Sequence, residues 1–113
     1  MGFNEYQKKA MTFARYADRL YPFMALAEEA GEVMGKIAKF TRKEGHTPSF
    51  YPSTEAELTL SKDLEKELGD VLWQVQACCK ELGITLEQLA ESNLAKLSGR
   101  AERGTIVGEG DAR

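Results

Sequence analysis

Leu26–Val33 reads LAEEAGEV and Leu64–Val71 reads LEKELGDV, so the frame L-x-x-E-x-G-[E/D]-V is written twice. At about 100° per residue, with Leu26 and Leu64 each set to zero, Glu29 and Glu67 both fall near −60°. Glu32 and Asp70 both fall near −120°. Each stretch therefore predicts an amphipathic helix with an acid pair at one fixed offset from its apolar stripe. If the two helices pack as antiparallel neighbours, four carboxylates meet at one flank of the core.

The flanking sequence extends both helices. Pro22 is suited to the first turn of one, whose stripe runs through Phe23, Leu26, Ala30, Val33, Ile37 and Phe40 to a stop at Gly45. The other begins between Thr54 and Asp63 and carries Leu64, Leu68, Val71, Leu72, Val75, Cys79 and Leu82 before Gly83. Upstream, Asn4 with Gln7 resembles a capping box opening a helix to about Leu20. Downstream, Thr85 with Gln88 is a second such box, opening a helix to about Arg103. No segment alternates with period two, and the expected fold is all-α, four helices with one longer loop at 45–54. Residues 1–103 read as one domain and 104–113 as a glycine-rich, mobile or partner-dependent tail.

At 113 residues, the chain supports one core, and 42% hydrophobic with 29% charged residues is a globular composition. A net charge of −3 argues against nucleic acid or an anionic membrane as partner. There is no apolar run long enough to span a bilayer and no apolar N-terminal leader. Cys78 and Cys79 are adjacent on a helix, poorly placed to bridge, and read as buried thiols of a reducing cytoplasm.

Clustered carboxylates repel, so the acid frame calls for a compensating cation. E-x-x-H turns are absent and His46 lies in the loop, which leaves an all-oxygen site suited to Mg²⁺ or Mn²⁺. Glu29, Glu32, Glu67 and Asp70 are the expected ligands. Glu28 lies one turn before Glu32 and can extend the acidic face or take a proton from a water. Gly31 and Gly69 suggest a close helix approach or room for a ligand. A single E-x-x-E is usually a solvated face; its repetition at one offset beside a core is what favours a site.

Asn93, Lys96, Arg100 and Arg103 align on one side of the last helix, where they can contact phosphate oxygens or simply face solvent near a helix C-terminus. Trp73, Phe50, Tyr51 and Tyr21 are candidates to stack on a base, although Trp73 also fits a core position. Phe50 and Tyr51 occupy the loop that could close over a ligand.

E-E-x-x-E at Glu28–Glu32, E-x-x-D at Glu67–Asp70 and N-x-x-K-x-x-x-R at Asn93–Arg100 together resemble the MazG-like all-α nucleoside triphosphate pyrophosphohydrolases, in their short bacterial or phage form. The 41–61 segment is longer than in many members. The resemblance implies a bundle completed by oligomerisation, as a dimer or tetramer. It also implies hydrolysis of an NTP or dNTP, purine deoxynucleotides such as dGTP included, to the monophosphate and pyrophosphate.

Two or more Mg²⁺ ions, with Mn²⁺ as substitute, would sit on Glu29, Glu32, Glu67 and Asp70, and Glu28 would serve the attacking water. Asn93, Lys96 and Arg100 would hold phosphate, with Phe50, Tyr51 and Trp73 near the base. The location implied is cytoplasmic, that of the host if the chain is phage-encoded. The competing expectation is a non-catalytic helical interaction module with an acidic metal- or partner-binding face.

Overall fold

The computed structural model describes residues 1–113 as four helices and no strands: α1 Phe3–Met11, α2 Tyr21–Glu44, α3 Glu55–Glu81 and α4 Leu86–Arg103. The fold class is all-α, as the two acid-bearing stretches predict. Gly45 and Gly83 close α2 and α3 with φ of 79° and 75°, a left-handed conformation that favours glycine. At Thr85 the capping box forms, with Gln88 N–H donating to Oγ1 at 3.0 Å and Thr85 N–H to Gln88 Oε1 at 2.8 Å.

α1 is shorter than expected. The chain leaves it at Thr12 because Tyr16 and Arg19 are drawn to the far end of α3: the Tyr16 hydroxyl donates to Glu81 Oε2 at 2.6 Å, and Arg19 Nε donates to Oε1 at 2.9 Å. These bonds end the helix before Phe13 and Ala17, and Phe13 stays exposed. Asn4 and Gln7 do not form a capping box either. Gly2 is the N-cap of α1, without a side-chain bond. Instead Gln7 Oε1 accepts the Leu86 N–H at 3.0 Å and Asn4 Oδ1 the Glu87 N–H at 3.3 Å. The first helix thus satisfies free N–H groups in the first turn of the last one.

α2 and α3 form the long antiparallel hairpin that carries the acid frame. Its seam buries Ala25 and Phe40 on α2 and Leu60, Gln74 and Ala77 on α3. On the wheel these positions lie between about −40° and −140°, so the seam is centred on the acid offset and not on the apolar stripe. The stripe is left uncovered in places: Phe23, Leu68 and Leu72 are 37%, 55% and 39% exposed, and Met34 beside it is 62% exposed. The radius of gyration, 17.3 Å, exceeds the roughly 13 Å of a compact chain this long. α4 leans away from the hairpin and does not pack against α2.

The tail folds back against the end of α4. Gly104 turns the chain at φ 69°, Arg100 is buried beneath the tail with its Nη2 donating to the Asp111 carbonyl at 3.0 Å, and Arg113 donates to the Thr105 carbonyl at 2.9 Å. Gly31 and Gly69 do not mark a close helix approach within the chain, because a Cβ at either would meet nothing within 4 Å.

Candidate metal and phosphate site

The antiparallel hairpin brings Glu29 of α2 against Glu67 and Asp70 of α3, with one carboxylate oxygen from each within 4.8 Å of the others. Glu67 and Asp70 share a face of α3 at the i, i+3 spacing. Oxygens around an octahedral Mg²⁺ with bonds of about 2.1 Å stand about 3 to 4 Å apart. A small inward rotation of the three side chains therefore fits them to such an ion. The donor set contains no nitrogen or sulfur, which matches a hard cation.

Electrostatics show the cost of this gathering. Burial, and then the charges of Asp70, Glu32, Glu67 and Glu28, push the Glu29 carboxyl above its ordinary value. The three other acids of the frame, and Glu28 beside it, thus act on Glu29. Glu32 is exposed and stands outside the close trio; with Glu28, Gly31, Gly35, Lys36 and Lys39 it lines an open hollow beside it. Lys36, absent from the sequence expectations, reaches the cluster with Nζ 3.9 Å from Glu67 Oε1. Its signal was its position seven residues after Glu29, on the same face of α2.

The chain does not bring the basic residues of α4 to these acids. Asn93 is exposed on the leaning helix. Lys96 Nζ and Arg100 Nη2 instead converge on one oxygen, Asp111 Oδ1, at 3.5 and 3.4 Å. Two cations directed at a single anionic oxygen form an arrangement that a phosphate oxygen could also occupy.

The aromatic candidates separate. Phe50 and the almost fully exposed Tyr51 line a groove with Leu58, Leu64 and Leu68, on the flank of α3 turned away from Asp70. Trp73 is half-buried and donates its indole N–H to the Ala10 carbonyl at 3.3 Å. It borders a cleft with Tyr16, Tyr21 and Gln74 that joins three separate segments and has no contiguous signal in the sequence.

A buried carboxylate beyond the metal site was also missed. Glu57 accepts the backbone N–H groups of Phe50 at 2.8 Å and Thr54 at 3.0 Å, and that of Ser49, while Thr54 Oγ1 accepts the Glu57 N–H at 3.2 Å. These donors, Phe50 foremost, hold its carboxyl down to about 2. Its signal was the T-x-x-E of 54–57, a capping box that places the start of α3 at Glu55.

Comparison with known proteins agrees with this geometry. The MazG nucleotide pyrophosphohydrolase domain matches residues 22–105, which include both acid turns and the basic side of α4. A curated relative, the Gene 37 protein of Mycobacterium phage L5, is 36% identical over 95 residues, covering 82% of this chain and 75% of its own length. No solved structure gives a significant match. With the acid turns facing each other across the hairpin and the domain match spanning three of the four helices, the chain belongs to the MazG nucleotide pyrophosphohydrolase family.

Proposed function

We propose that the chain is a divalent-metal-dependent hydrolase converting a (d)NTP to the (d)NMP and pyrophosphate, with purine deoxynucleotides such as dGTP among its substrates. The convergence of Glu29, Glu67 and Asp70 from two helices, in a chain of this family, carries the reading. Glu29, Glu67 and Asp70, with Glu32 adjoining, would hold Mg²⁺ or Mn²⁺, two or more ions together. Bound there, the ions supply positive charge against the triphosphate and a water of lowered pKa.

Glu28, exposed at the edge of the hollow, orients and deprotonates the attacking water. Lys96 and Arg100 take charge building on the leaving pyrophosphate, displacing Asp111, and Asn93 positions it. Lys96 and Arg100 are engaged by Asp111 and α4 does not pack against α2, which favours delivery of these groups by a second copy of the chain. The uncovered stripe residues Phe23, Leu68 and Leu72, with Met34 beside them, support assembly into a dimer or tetramer, since apolar faces of this kind are normally covered.

The test is incubation with the eight common NTPs and dNTPs and either metal, with products resolved by ion exchange. Monophosphate and pyrophosphate, lost in Glu67→Gln, are expected. Failure of every substrate in folded, metal-loaded protein would move the assignment to a binding module.

A further inference from the structure

The cleft beside the metal site is lined by Arg15, Tyr16, Asp18, Tyr21, Trp73 and Gln74 and measures about 470 Å³, the size of a small-ligand pocket. Its walls are fixed. The Tyr16 hydroxyl is held by Glu81, the Trp73 indole by the Ala10 carbonyl, and the two rings meet edge to face at 6.4 Å. Tyr21 lies nearly parallel to Tyr16, 6.0 Å away and inclined by 24°, and is 46% exposed, so much of its ring faces the opening. Rigid aromatic walls bind a flat ligand at little entropic cost.

Gln74 supplies a polar group. The residue is only 8% exposed, and its carboxamide oxygen is buried without a hydrogen-bond partner. Gln76 and Arg100 also carry buried polar atoms without partners, but of the three residues only Gln74 lines a cleft, where a ligand could supply the partner. A carboxamide presents a donor beside an acceptor and can exchange them by rotating, the pattern that reads a base edge. Arg15 and Asp18 cancel in charge, so this cleft suits an uncharged group, whereas the neighbouring acid cluster suits a cation with phosphate.

The two sites are neighbours along the helices. Gln74 is four residues beyond Asp70, on the same face of α3 and about 6 Å further along the axis. Tyr21 precedes Glu29 by two turns of α2. A nucleotide whose phosphates lie over Glu29, Glu67 and Asp70 would have its base directed along both helices toward this cleft.

We infer that the cleft between Tyr16, Tyr21, Trp73 and Gln74 is the nucleobase subsite, with Tyr21 as stacking platform and the Gln74 carboxamide as the group that discriminates between bases. The inference rests on the pyrophosphohydrolase reading, and it moves the base away from the Phe50–Tyr51 loop. Trp73 is the single tryptophan, so its fluorescence reports on the cleft directly.

The experiment titrates the full chain, without divalent metal, with the four deoxynucleoside monophosphates and with ribose 5-phosphate, reading Trp73 emission, while turnover of the triphosphates is measured in parallel with Mg²⁺. Saturable quenching by nucleotides and not by ribose 5-phosphate is expected. Tyr21→Ala should weaken it by roughly five- to a hundredfold. Gln74→Leu should alter the order of preference among bases by about tenfold or more. Because Tyr21 is on the surface, its variant keeps the test valid even if Gln74→Leu fails to fold.

Quenching that ignores the base, no quenching at all, or an unchanged Tyr21→Ala would overturn the subsite. Turnover combined with any of those results would spare the hydrolase and remove only the cleft. Base-dependent quenching without turnover of any triphosphate would support the cleft and remove the hydrolase.

Discussion

Lys36 of α2 places its ammonium 3.9 Å from the Glu67 carboxylate of α3, so the acid cluster contains an internal cation of its own. The lysine side chain is 40% exposed and that of Glu67 15%. A divalent ion entering the cluster must share Glu67 with this ammonium. Lys36→Gln should therefore tighten Mn²⁺ or Mg²⁺ binding, by less than about fivefold because the pair is partly solvated. Isothermal titration of both proteins checks this; weaker binding in the variant would show Lys36 to be a positioning group for Glu67.

The Glu57 carboxylate predicts an acid-sensitive start to α3. Its folded-state value of about 2 lies below the ordinary 4.5, so its contribution is complete above about pH 4.5 and is lost as pH falls toward 2. Thermal unfolding of wild type and Glu57→Gln should differ most near pH 7, and the gap should narrow on acidification through that window. A gap independent of pH would remove the charge from the explanation. Thr54→Ala, which breaks the same capping box, should cost about 1 kcal/mol.

Cys78 and Cys79 are free and buried, and burial raises both thiols above their usual range. Few thiolates are then present at pH 8, and access is poor. Alkylation by iodoacetamide should be slow in the native chain and fast in denaturant, with mass spectrometry counting the adducts. Rapid native labelling would place these thiols at an opening of the fold.

The tail offers a readout of the anion seat on α4. Asp111 is 93% exposed at its side chain, yet it receives both Lys96 and Arg100. Asp111→Asn should loosen the tail and speed tryptic cleavage after Arg103. Inorganic pyrophosphate, competing for the same two cations, should speed that cut in the native chain. Cleavage unaffected by pyrophosphate would separate Lys96 and Arg100 from phosphate binding.

The elements legible in the sequence were those with local causes. α2 and α3 follow from periodic apolar residues and from glycines that must adopt positive φ, and the start of α4 from a capping box four residues long. The acid trio was legible because two helices repeat one offset. The end of α1 was not, since it is set by Glu81, more than sixty residues from Tyr16 and Arg19. Asn4 and Gln7 were assigned to the wrong helix for a similar reason: amides suited to capping do not specify whose N–H groups they cap. The apolar stripes were read as the core, but periodicity identifies a face and not its partner, and here the hairpin closes on the adjoining one. The cleft of Tyr16, Tyr21 and Gln74 exists only once three segments have met.

The bonds between α1 and α4 also bear on the order in which the molecule takes shape. The hairpin closes over a loop of roughly ten residues, whereas Gln7 and Leu86 are separated by 79. Three doublings of loop length add about 2 kcal/mol of closure entropy. The hairpin can therefore form early, while α1 must wait for α3 and the first turn of α4 before its amides find their carbonyl and N–H partners. During synthesis the first helix to leave the ribosome is then the last to dock, and an interruption before residue 86 leaves it only its contacts with α3, without the N–H groups of α4 that its amides cap.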